Sequence, residues 1–79
     1  MSLVDSIVEE VLEALEKGAV RRNEWGDVIW VISSPVYRRL AKAVREGRVG
    51  DVAVSASSSA PIAIREAEVT ILVYPLYRD

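Results

Sequence analysis

Seventy-nine residues with 51% apolar side chains and a formal charge of −2 suit one domain, residues 1–79, too hydrophobic for disorder and with no run near the roughly 20 apolar residues of a membrane span. The chain has no Cys and no His, which excludes disulfides, thiol nucleophiles, imidazole bases, Ser-His-Asp triads and the usual zinc sites. A chain of this size hides only about 60% of its accessible surface on folding, so extra burial through self-association is expected.

The N-terminal segment carries Val4, Val8, Val11 and Leu15 at helical spacing, with Ile7 and Leu12 beside them and Asp5, Glu9, Glu10, Glu13 and Glu16 on the other side. This predicts an amphipathic helix over about 3–17, with Ser2 as a candidate N-cap and Lys17-Gly18 at its end. An acidic start of this kind lacks the basic flank and apolar centre of a secretion signal, so a cytoplasmic location is expected. The chain has no Gln, one Asn and one Met, and Arg supplies eight of its ten cations, a depletion of heat-labile side chains that points to a thermophilic source, although a GC-rich genome also favours Arg.

Residues 19–26 have mixed charge and no period and read as a loop. Within residues 27–32 (DVIWVI), Val28, Ile29, Trp30, Val31 and Ile32 follow without a polar break, which predicts a central strand covered on both faces. In the Ser33-Ser34-Pro35 turn either serine can cap the next helix, and Pro35 suits a first helical turn because its φ is already set and no donor is lost there. That helix carries Val36, Leu40 and Val44 inward and Arg38, Arg39, Lys42 and Arg45 outward, and stops at Glu46-Gly47.

A period-two stretch at 52–55 predicts a strand with one apolar face. Residues 57–61 form a turn-rich cluster. Residues 62–64 read as a short strand placed at an edge, since Pro61 cannot donate to a ladder. Residues 68–74 (EVTILVY), rich in β-branched side chains, read as a longer strand ended by Pro75. The fold class that follows is α/β (α+β): a compact sandwich of a mixed sheet of about four strands with two helices, in the order α-β-α-β-β-β. The sheet is centred on residues 27–32 or 68–74.

Charge is divided along the chain. Residues 1–16 hold five acids and no base, whereas residues 35–48 hold Arg38, Arg39, Lys42, Arg45 and Arg48 against Glu46, a formal +4. Solvated helix faces, or an acidic helix lying beside a basic one, account for this simply. The sharper reading is an interface between copies, with Arg38, Arg39 and Lys42 opposite Glu9 and Glu13, or with the C-terminal aromatic segment Tyr74, Leu76 and Tyr77.

An anion- or nucleic-acid-binding alternative uses Ser33 and Ser34 at the helix N-terminus with Arg38, Arg39, Lys42 and Arg45, on the basic helix 35–46. Against it stand the net acidic composition, a turn without the glycines of phosphate loops, and aromatics that do not interleave with the arginines. No catalytic residue is assigned. Glu9 with Glu13 and Glu66 with Glu68 pair only on faces that pattern as solvated, and Ser55, Ser57, Ser58 and Ser59 have no activating base nearby. No cofactor and no metal site are expected.

The run of an amphipathic helix ending LEALEKG, a loop, and VIWVISSPVYRRLAKAV resembles a segment of encapsulins and related tailed-phage-type capsid proteins. The resemblance covers residues 3–45, with Ser34, Pro35, Tyr37 and Leu40, spaced Ser-Pro-x-Tyr-x-x-Leu in this chain, on its motif. It implies shell assembly through an axial-type domain and not catalysis. The arm, extended loop and long spine helix of a complete shell subunit have no counterpart in these 79 residues. The function expected is therefore a non-enzymatic structural or interaction module that self-associates as a homo-oligomer, with a small adaptor or inhibitor of a partner protein as a further alternative. Nucleic acid is disfavoured and no membrane role is expected.

Overall fold

The computed structural model describes residues 3–49, 53–55, 61–66 and 69–76. Its elements in chain order are α1 (Leu3–Glu16), β1 (Asp27–Ile32), α2 (Ser34–Arg45), β2 (Ala53–Ser55), β3 (Ile62–Arg65) and β4 (Thr70–Pro75). Ser2 and Tyr77, and most of the serine cluster, lie outside the described residues. Two helices on a mixed sheet make the class α+β.

The strands lie in the order β1-β4-β3-β2. β4 pairs with β1 in parallel and with β3 antiparallel, and β2 pairs antiparallel with β3. Residues that share a register row also share a face, because side chains alternate along a strand. One face therefore collects Val28 from β1, Ile71 and Val73 from β4, and Ile62 and Ile64 from β3, all buried. The helices cover this face: Val4, Ile7, Val8 and Val11 of α1 and Leu40 of α2 belong to the same apolar cluster, with Trp30 and Ile32 packed at its margin.

Both helices end on the same device. After α1, Gly18 at φ +76° donates to the Leu15 carbonyl at 3.1 Å, and Ala19 reaches back to Ala14 at 2.9 Å. After α2, Gly47 at φ +75° donates to Val44 at 3.1 Å and Arg48 to Ala43 at 2.8 Å. The left-handed residue turns the chain so that two otherwise orphaned carbonyls are satisfied, and a residue with a Cβ adopts that conformation only under strain.

Two expectations about strand position are overturned. β1 is an edge strand, not a central one. Val28 is fully buried, but Ile29 and Val31 are 47% and 51% exposed. Both helices lie on the other side of the sheet, so a strand apolar from Val28 to Ile32 still has one side that no described element covers. β3 is internal, between β4 and β2, because Pro61 precedes the first laddered residue and its missing N–H removes nothing from the sheet. β4 is the other internal strand, between β1 and β3, starting at Thr70 because Glu66 and Val69 bond each other's backbones (2.8 and 3.3 Å) to close the β3-β4 connection.

The outer edge of β1 has one fixed point. Asn23 donates its backbone N–H to the Asp27 carbonyl at 2.8 Å, while its side-chain Oδ1 accepts from the N–H groups of Asp27 and Trp25, both at 2.9 Å. Asn23→Ala removes that acceptor and is expected to destabilise the domain by about 1–2 kcal/mol, a fall of roughly 5–15 °C in Tm. A thermal melt unchanged within 1–2 °C would mean that the turn holds without it.

Candidate interaction surfaces

α2 presents its basic residues as the helical period dictates. Arg38, Arg39, Lys42 and Arg45 are exposed, while Leu40 and Ala43 are buried beneath them. Arg38 is already engaged by another group of the protein. On α1, Glu9 and Glu13 are exposed, and Glu13 accepts a 2.7 Å salt bridge from Lys17 one turn on, an exposed pair of small energetic weight. Arg48 pairs with Glu46 just beyond α2. α1 and α2 touch over the sheet, so the acidic and basic helices are neighbours within one molecule.

The two serines do not converge on an anion. Ser33 occupies the N-cap position of α2 with extended backbone, but its side chain makes no capping hydrogen bond, and it is exposed. Its carbonyl accepts the first helical bond, from Tyr37 N–H at 2.9 Å. Ser34 is the first helical residue, buried at 7% exposure and engaged within the protein. The capping expected of either hydroxyl is thus not made by Ser33, and Ser34 faces inward. Tyr37, half-buried against the core, has its phenol pKa raised by desolvation, which disfavours the phenolate.

Neither carboxylate pair read from the sequence gathers into a site. Glu9 and Glu13 lie on the solvent side of α1, and Glu66 lies in the turn after β3, with Glu68 outside the described residues. Among the described residues there is no cluster of three or more acidic side chains placed to hold a metal ion, and no helix is long and apolar enough to cross a membrane.

The surface that sequence reasoning missed is the face of the sheet left uncovered by the described elements. By strand alternation it carries Ile29 and Val31 of β1, Leu72 and Tyr74 of β4 and Ala63 of β3. Leu72, Tyr74 and Ala63 are only half-buried, and beyond the end of β4 Leu76 is 56% exposed. Tyr74 and Leu76, expected at an interface, belong to this region, whereas Trp30 points to the helix side. The signal was arithmetic. Two helices about 10 Å across fill one side of a sheet about 19 Å wide, leaving none for the other side. Comparison with protein families, curated proteins and solved structures finds no match to this chain.

Proposed function

We propose that this chain is a non-enzymatic interaction module that works by self-association, and that the uncovered face of its sheet is the surface used. The observation that carries the reading is the apolar exposure of Ile29 and Val31 beside Leu72 and Tyr74 on one contiguous side of the sheet. Adjacent apolar side chains left in water by a domain of this size favour burial against another surface. Assembly into a shell, which the resemblance of residues 3–45 implies, would be one use of such a module. The anion- or nucleic-acid-binding alternative keeps the basic face of α2 and the exposed Ser33 but loses Ser34, which is turned inward.

The test is mass against concentration. Light scattering should give a species heavier than the 8.7 kDa chain that grows with concentration. Val31→Lys, a change at a half-exposed position, should shift it toward the monomer by roughly tenfold or more in dissociation constant, since a charge enters an apolar contact. A single 8.7 kDa species at every concentration up to the millimolar range would sink the proposal.

A further inference from the structure

We infer that the occupant of the uncovered sheet face is a second copy of the same chain, packed face to face about a two-fold axis that runs along β4. This rests on the self-association reading above and adds the geometry and the contacts.

The face is organised in rows across the strands. One row is Asp27 on β1, Thr70 on β4 and Arg65 on β3; the next is Ile29, Leu72 and Ala63. Each row is thus unequal about β4, with an anion opposite a cation in the first and a large side chain opposite a small one in the second. Stacked sheets in aligned packing keep their strands within about 30° of each other. A dimer of that kind has its two-fold axis either along the strands or across them.

An axis along β4 keeps the rows in line but exchanges their ends. Asp27 then faces Arg65 of the second copy, twice by symmetry, and Ile29 faces Ala63 of the second copy, so charge and volume are both complementary. Leu72 and Tyr74 meet their own counterparts at the axis, where an aromatic pair can stack offset. An axis across the strands instead sets Asp27 over Val31, burying a carboxylate against an apolar side chain without a partner. The pattern therefore selects the first axis.

The available area sets the strength. With the axis along β4 only β1, β4 and β3 overlap between copies, and their six, six and four residues at about 3.3 Å each and about 4.8 Å per strand give a face of roughly 250 Å² per copy. That is about a third of the roughly 800 Å² per partner of a standard interface. The expected dimer is reversible, with a dissociation constant at about micromolar or weaker.

The experiment is a charge swap read by sedimentation equilibrium. Arg65→Asp and Asp27→Arg each place like charges face to face and should weaken the dimer by roughly tenfold or more, while the double variant restores it to within about threefold. Each variant is checked for an unchanged far-UV spectrum. As an independent measurement, Leu72→Cys in this otherwise cysteine-free chain places one thiol per copy at the axis, and a short bifunctional maleimide should link two copies. A wild-type chain that stays monomeric overturns both this geometry and the self-association reading. A dimer that ignores both swaps and resists the link overturns the geometry alone, and leaves self-association through the β1 edge or the α2 face.

Discussion

Val28→Asp should leave the chain unfolded at 37 °C, whereas Val31→Asp, three residues along the same strand, should fold. Val28 is fully buried in the cluster that joins the sheet to both helices, and Val31 is half-exposed on the other side. A 79-residue domain has about 4–12 kcal/mol of stability in total. A carboxylate at Val28 would lie in the apolar cluster, and burying it there costs several kcal/mol whether it stays ionised or takes up a proton. The exposed change is expected to stay within about 0.5 kcal/mol of wild type. Far-UV circular dichroism and thermal melting decide it. A cooperative melt retained by Val28→Asp would show that the inner face has been misassigned.

Leu40→Ala should remove about 2–5 kcal/mol, because Leu40 is the fully buried side chain by which α2 docks on the sheet and its loss leaves a cavity that the neighbours fill only in part. With a urea slope of about 1 kcal/mol/M for so small a domain, the unfolding midpoint should fall by roughly 2 M or more. Arg39→Ala, one residue away on the exposed side of the same helix, should barely move it. A fall of less than about 0.5 M for Leu40→Ala would mean that α2 is not held by this contact.

The elements were legible in the residues because each carries a local signal. Apolar spacing in α1 and α2, and the glycines at 18 and 47, gave helices that end within a residue or so of where the periodicity stops. The uninterrupted run 27–32 gave β1 with both of its ends. What the run did not give was the strand's place in the sheet. Continuous apolarity predicts cover on both faces, but it equally describes a strand covered by helices on one side and free on the other. Pro61 misled in a similar way. Its missing donor matters only inside a ladder, and whether it lies inside depends on where the strand starts. Tyr74 and Leu76 were legible as interface candidates from their type and position. Ile29 and Val31 were not, since their exposure depends on which strand became the neighbour of β4.

The hydrogen bonds of Asn23 bear on what kind of assembly this chain can build. An apolar edge strand with no Lys or Pro is a template for endless strand-by-strand addition. In the parallel pair Leu76 N–H reaches the Ile32 carbonyl at 2.7 Å, which turns the backbone of the even-numbered residues toward β4 and that of Asp27, Ile29 and Val31 outward. Asn23 occupies both outward groups of Asp27, so an incoming strand finds only two residues to pair with. Growth into a fibre from this edge would thereby be stunted at its first step, and closed, finite complexes would be the favourable outcome of any contact between copies here.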